Sequence, residues 1–372
     1  MGVVVTGIGV VSALGPNAAA FRRGLLDGSN ACALHGFERF DGSVVNAPAY
    51  MAVPAEPEGL IEPRKLRRMF RLARMSAVAA RQALKHAELE PASLDSSRLG
   101  VVFGTSFGAM EPTQKFVDSW IDNGEAAASP LQFMNSVHGI LASQIALDIN
   151  ATGVNLTCAQ RDICFEAALD TAVNLLDARR ADVLLVGGAD EVTPMLHEFG
   201  SHTGQLVLPD VPGLDPWGAR RGVVPGDGAA VFVLERDDSP RRALARVAAS
   251  RVGRHDQGGP NLAVELAEAA RPDLVTTNRD GGARCARLND RQQAELGLHV
   301  PAVSHRGNFG TWPAAGAVQF AANVLMLSNG EFYMPLAGGR PVELKAEAPK
   351  AILHNAPSIS GSHAAYVLAV SD

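Results

Sequence analysis

Cysteine is scarce: Cys32, Cys158, Cys164 and Cys285 are the full complement of the 372-residue chain, and no two form a C-x-x-C pair. That density excludes a disulfide framework and reads as reduced thiols in a cytosolic protein. Basic residues are not in excess. Lys and Arg number 33 against 39 Asp and Glu, a formal charge of -6, which argues against a nucleic-acid partner. No apolar run reaches the roughly 18 residues that cross a bilayer. The first residues, MGVVVTGIGVVSALG, lack the charged flank and cleavage site of a signal peptide. Met1-Gly2 with Thr6 fits a myristoylation pattern in form, but Val3 to Thr6 reads as a buried strand. The expectation is a cytoplasmic protein.

Several chemical signatures are also missing. GIGVVSALG does not give G-x-G-x-x-G before a helix, so it is read as a turn and not a dinucleotide loop. Ser358, Ser360, Ser362 and His363 lie outside any G-x-S-x-G elbow. His138, His305, His354 and His363 do not stand at ligand spacing from one another, so neither metal nor cofactor is expected.

What remains is a soluble composition, 47% hydrophobic and 19% charged, with strands and helices alternating along the chain. Continuous apolar strands are expected at Leu99–Gly104, Val183–Val186, Ala229–Leu234, Leu274–Thr277, Ile352–His354 and Ala364–Val370, as in a sheet covered on both faces. Helices are expected at Asn17–Leu26 with Asn17 as cap, over 61–87, from Pro112 to about Asp122, at Asn135–Ile149 and at Phe309–Leu327. Residues 200–221 read as loop, and 237–272 as an irregular boundary between residues 1–240 and 241–372. The stretch Val154–Glu191 reads as strand, turn, helix and strand. Such a turn presents a nucleophile at a helix N-terminus in many α/β enzymes. The layering predicts an α/β fold.

VVVTGIGVVSALG, LGVVFGTSFGAM, ADVLLVGGADEVTP, VVPGDGAAVFVLE, GTWPAAGAVQFAANVLML and HNAPSISGSHAAYVLAV resemble, in order, the landmarks of β-ketoacyl-carrier-protein synthases. The likeness is weakest between Asp237 and Val300. It implies the thiolase-like five-layered αβαβα fold of two βαβαβαββ halves, and condensation of acyl and malonyl thioesters by a Cys-His-His triad. Carried over position by position, the cysteine becomes Asp162, the first histidine Asn278 and the second Gly310, while a family lysine becomes His305.

A carboxylate at a helix N-terminus stays ionised, and an acyl-aspartate would be a labile mixed anhydride. Asp162 is therefore read as the N-cap of a helix over Ile163–Ala178. Cys158 lies four residues too early for the nucleophile position and Cys164 two too late. The chain most resembles a chain length factor of a type II polyketide synthase, an inactive ketosynthase-like subunit. Its implied partners are an active ketosynthase, an acyl carrier protein reached through that complex, and the growing acyl chain. Met110, Thr113, Phe116 and Val117, on one helix face, with Phe133, are then the expected tunnel and chain-length residues. Arg64, Lys65, Arg67, Arg68, Arg71 and Arg74 are either a solvated face or a docking patch for an acidic carrier protein. The alternatives are an active condensing enzyme or malonyl-carrier decarboxylase with another nucleophile, and a scaffold with no tunnel.

Overall fold

The computed structural model describes residues 2–55, 59–206, 213–218, 222–255, 261–342, 344 and 346–371. Its centre is one ten-stranded sheet. Five strands come from the first part of the chain: β1 (Val3–Val11), β4 (Leu99–Gly104), β5 (Asn155–Cys158), β6 (Val183–Asp190) and β7 (Gly228–Arg236). Five come from the rest: β8 (Ala245–Arg254), β9 (Leu274–Thr277), β10 (Ala302–Val303), β13 (Ala351–Pro357) and β14 (Ser362–Ala369). Two small hairpins stand apart, β2 (Ala33–Glu38) with β3 (Val44–Ala49), and β11 (Leu336–Ala337) with β12 (Arg340–Pro341).

Across the sheet the order is β10-β9-β13-β14-β8-β1-β7-β6-β4-β5. Read outward from the β1–β8 junction, both sets follow one plan. The first strand pairs antiparallel with the last, the last antiparallel with the fourth, and the remaining pairs are parallel.

Strand residues alternate between two cores, which fixes the layers. In β6, Val183 and Leu185 face α3 (Arg71–His86) and α6 (Ile140–Ile149), while Leu184 and Val186 face the molecular centre. The centre is filled by α7 (Cys164–Asp177) and α12 (Gly316–Asn329), flanked by Phe21 and Leu25 of α1 (Ala18–Leu26). On the far side, Leu353 and Val367 face α9 (Leu262–Ala270) and α10 (Ala283–Leu296), while Ile352 and Leu368 turn inward. The result is the thiolase-like αβαβα fold. The shorter helices are α2 (Pro63–Leu66), α4 (Met110–Asn123), α5 (Pro130–Asn135), α8 (Pro194–His202) and α11 (Arg306–Phe309).

Asn17 caps α1 as expected, its Oδ1 accepting from Ala20 N at 2.9 Å. Three expected helices are divided. The 61–87 helix breaks between α2 and α3, where Phe70 is extended and Arg74 Nε donates to Leu66 O and Met69 O. The Asn135–Ile149 helix begins only at Ile140, because Asn135 ends α5, which Ser129 caps and Pro130 opens. Gly310, at φ 88°, and Pro313 divide the Phe309–Leu327 stretch into α11, a 3-10 turn and α12. The supposedly irregular 237–272 region contains β8, a ten-residue strand, and α9. Within 200–221, residues 200–202 complete α8, while 207–212 and 219–221 lie outside the described residues.

Candidate functional site

Asp162 stands in a 3-10 turn, Arg161–Ile163, after Arg161 has taken a left-handed φ of 52°. The expected cap is not made: α7 begins at Cys164, its capping position is Ile163, and no side chain caps it. Asp162 Oδ1 instead accepts from Ser358 Oγ at 2.5 Å, and Ser358 Oγ lies 2.7 Å from Ser360 Oγ. The turn carries the carboxylate away from the helix amides and toward the β13–β14 loop. Asn278 meets the same loop, its Nδ2 donating to Pro357 O at 3.2 Å and its Oδ1 accepting from Asn289 Nδ2 at 3.1 Å. Both side chains are committed to framework contacts.

Gly310 is boxed in. A Cβ there would lie 2.7 Å from Tyr50 Cβ, closer than carbon atoms approach without displacement. Tyr50 is itself pinned, donating to Gly307 O at 2.9 Å and accepting from Leu214 N at 3.0 Å. The backbone around Leu214 is held at two further points. Gly338 N donates to Leu214 O at 2.9 Å, and the Arg279 guanidinium lies 4.8 Å from the Trp217 ring centroid.

Beneath these positions runs a buried polar chain. His305 Nε2–H donates to Tyr333 O at 2.9 Å, so its Nδ1 accepts from Gln319 Nε2, also at 2.9 Å. Gln319 Nε2 also donates to Asn323 Oδ1, and Asn323 Nδ2 donates to Thr276 Oγ1 and Tyr366 Oη. Thr276 Oγ1 is 2.9 Å from His354 Nδ1, and His354 Nε2 faces Glu166 Oε1 at 3.4 Å. Burial drives the His305 pKa down to about 4, so the ring is neutral. Arg306 is also buried; burial lowers its pKa, while Glu166, Asp280 and Asp162 pull it back up.

The thiols are not activated. Cys158 ends β5 half-buried and Cys164 is fully buried at the start of α7; burial raises both pKa values. Negative charge on Asp190, Glu166 and Asp162 pushes Cys164 up further. Thiolate is the nucleophilic form, and neither site favours it. Among the described residues no cluster of His, Cys, Asp or Glu is arranged to hold a metal ion.

The five expected tunnel residues sit together on a different surface. Phe116 of α4 and Phe133 of α5 meet with ring centroids 5.4 Å apart at 49°. Thr113 Oγ1 donates to Ala109 O at 2.7 Å and lies 3.4 Å from Ser136 O, so it faces the α5–α6 link. Met110 is half-buried at the start of α4, and Val117 is exposed. Around them Trp120, Ile121, Met134 and Val137 are exposed, as are Leu147 on α6 and Leu156 on edge strand β5. An exposed apolar cluster bordering an open strand edge is what an interface presents before its partner is in place.

The basic stretch divides. Lys65 pairs with Asp148 at 2.8 Å, Arg71 with Asp227 at 2.6 Å, and Arg74 is spent on carbonyls. Arg64, Arg67 and Arg68 are exposed and make no ion pair among the described residues. Arg67 and Arg68 line a groove of about 680 Å³ together with Pro112, Lys115 and Leu131.

Tyr50, Glu166 and Arg306 carry no local signal in the sequence because their neighbours come from distant segments, and His354 stands there only as a histidine away from ligand spacing.

Comparison with known proteins decides the family. Residues 1–239 match the β-ketoacyl synthase N-terminal domain. The chain belongs to the β-ketoacyl synthase family. Among relatives of this synthase-family chain is the actinorhodin polyketide β-ketoacyl synthase 1 of Streptomyces coelicolor, 28% identical over 367 residues, covering 88% of this chain and 78% of that protein. The chloroplastic 3-oxoacyl-[acyl-carrier-protein] synthase I of Arabidopsis thaliana is 28% identical over 264 residues, 68% of this chain and 54% of that protein. The match thus spans about half the length of the chloroplastic relative. Of solved structures, the ishigamide ketosynthase/chain length factor superposes with a TM-score of 0.80 at 20% identity, covering 100% of this chain and 99% of that one. The ketosynthase ApeO in complex with its chain length factor ApeC from Xenorhabdus doucetiae also gives 0.80, at 17% identity, covering 100% and 98%. These structural likenesses carry the fold. No helix among the described residues is long and apolar enough to cross a membrane.

Proposed function

We propose that this chain is a chain-length-factor-type subunit: it pairs with an active ketosynthase, contributes no nucleophile, and forms part of the wall of the acyl tunnel at their interface. The observation that carries this reading is Tyr50. It occupies the space that a side chain at position 310 would need, where the family resemblance places a catalytic histidine. Asp162 adds to it, standing at the nucleophile position but hydrogen-bonded to Ser358. Acyl transfer needs a nucleophile with a base in reach and donors aimed at the developing oxyanion. Here those positions are filled or spent on framework bonds.

The open edge of β5, with Leu147, Leu156, Ile121 and Phe133 around it, is the face offered to the ketosynthase. Phe116 and Phe133 are the side chains nearest the growing acyl chain. Arg64, Arg67 and Arg68, which make no ion pair among the described residues, are the cations of this stretch placed to attract an acidic carrier protein. The test is reconstitution with an active ketosynthase of the same family and a malonyl carrier protein. Phe116→Ala is expected to lengthen the products by enlarging the tunnel. An intact complex with unchanged product length overturns the tunnel assignment. An acyl adduct on this chain, read by intact mass, overturns the non-catalytic assignment.

A further inference from the structure

Asp190, at the end of β6, is a fully buried carboxylate outside both the vacated triad and the apolar face, yet it is bonded to both regions. Its Oδ1 accepts from Thr105 Oγ1 at 2.7 Å, Ser106 N at 3.0 Å and Phe107 N at 2.9 Å, all in the loop between β4 and α4. Its Oδ2 accepts from Ala314 N at 3.0 Å, in the 3-10 turn that leads into α12 four residues after Gly310. The loop is braced from outside as well. His138 Nε2 lies 3.2 Å from Ser106 O, and Gly108 N donates to Thr105 Oγ1 at 3.1 Å. Gly108, at φ 65°, packs so closely on the His138 ring that a Cβ there would lie 3.1 Å from it. One residue beyond the loop stands Met110, the first residue of α4; His138 belongs to the α5–α6 link that follows Phe133.

We infer that Asp190 is the positioning residue for the tunnel wall, its two oxygens joining the loop that launches α4 to the core beside the vacated site. The inference rests on the tunnel reading above. A buried carboxylate that accepts four hydrogen bonds from fixed donors holds those donors in one geometry, because leaving any of them unpaired in the interior is costly. Asparagine cannot replace it. Both oxygens receive backbone N–H groups, so either amide orientation points an NH₂ at an N–H. The loop arm or the Ala314 arm must then open. The orientation of Phe116 against Phe133, and with it the depth of the tunnel, follows from the loop arm.

Asp190→Asn and the milder Thr105→Val, which removes the Oγ1 donor to Asp190 and the acceptor of Gly108 N but leaves the Ser106, Phe107 and Ala314 amides on the carboxylate, are compared with Phe116→Ala in the reconstituted complex. Product lengths and hydrogen exchange at residues 105–123 are both read. The expected result for Asp190→Asn is at least tenfold faster exchange at Ser106 and Phe107 with exchange in β6 itself unchanged, and a broadened product-length distribution; Thr105→Val moves both readouts in the same direction by less. Product lengths unchanged in both variants, while Phe116→Ala shifts them, overturn the Asp190 inference and leave the tunnel reading standing. If none of the three shifts product length, the tunnel reading falls and the inference with it. If exchange rises uniformly over the whole chain, Asp190 is an ordinary stabilising residue and the inference is also overturned.

Discussion

At position 310 the backbone is left-handed and the adjoining space holds a tyrosine ring, so two independent costs attach to any side chain there. Gly310→His is expected to destabilise the chain by about 3 kcal/mol, the range of overpacking added to backbone strain. Combining it with Tyr50→Ala should recover part of that loss, a coupling of about 1 kcal/mol or more in a double-mutant cycle by chemical denaturation. Simple additivity would mean that Tyr50 is not what closes the site. A second residue-scale expectation concerns His363, which donates from Nε2 to Asn355 Oδ1 at 2.7 Å and has a buried, unpartnered Nδ1. Burial, and then the charge of His255, depress its pKa to about 4. Between the unfolded value near 6.5 and about 4, the unfolded chain takes up a proton that the fold refuses, so stability is lost as pH falls through that window. The loss reaches roughly 3 kcal/mol at 1.36 kcal/mol per unit. Glu191 works the other way: burial raises it to about 7, so the fold holds a proton that the unfolded chain releases, and stability is gained as pH falls from about 7 toward 4.5. The difference between His363→Gln and the parent isolates the histidine. The variant should gain relative thermal stability at pH 5 over pH 7, and an identical pH profile would remove His363 from the account.

At the scale of elements, α4, α5 and the edge of β5 present apolar surface that the chain's own core leaves uncovered. Ile121 is 74% exposed, so Ile121→Asp should leave the stability of the isolated chain within about 0.5 kcal/mol. In an interface, the same carboxylate would be buried without a partner and should weaken ketosynthase binding at least tenfold, about 1.4 kcal/mol. Calorimetric affinity unchanged by the substitution would place the partner on another face. The sequence exposes this element structure unevenly, and the reasons are physical. LGVVFG over 99–104 and LVTT over 274–277 match their strands end to end because both faces of each are buried. β8 hides because Arg246 and Arg251 point outward between buried Ala245, Val247 and Ser250, which gives an apparently charged, patternless run. The break at Gly310 is tertiary in origin, set by Tyr50, while the break at Phe70 is bridged locally by Arg74. The positions answering to the triad could be counted along the chain; their consequences could not, since Ser358 lies 196 residues from Asp162.

Across the whole molecule, two sets of five strands repeat one topology, but their outer layers are unequal. The α3–α6 layer packs Leu72, Val78, Leu84, Leu141, Ile145 and Ile149 against Val101, Phe103, Leu185 and Val233. The α9–α10 layer offers chiefly Leu266 and Leu296 against Val275, Leu353 and Val367. Between them the central layer is held twice over. Phe165, Phe232, Phe320 and Tyr366 form a chain of ring contacts at 4.7–5.3 Å through Phe320, and the His305–Gln319–Asn323–Thr276 hydrogen bonds tie α12 to β9. Local opening free energy follows the buried apolar contacts that must be broken, so the layers should open in order. Native-state hydrogen exchange is expected to find α9 and α10 opening first, α3 and α6 later, and α7 with α12 only on global unfolding. β13 and β14 should exchange more slowly than the helices that cover them, because their inner faces belong to the central core. Asn323→Leu separates the two sources of that protection. It removes the hydrogen bonds to Thr276 and Tyr366 while keeping an apolar side chain in place. If the polar chain fastens α12 to the strands beside it, β9 amides should exchange faster in this variant while those of β4 and β6 hold their rates. Equal acceleration in β4, β6 and β9 would mean that Asn323 supports the whole molecule and not the α12–β9 contact in particular.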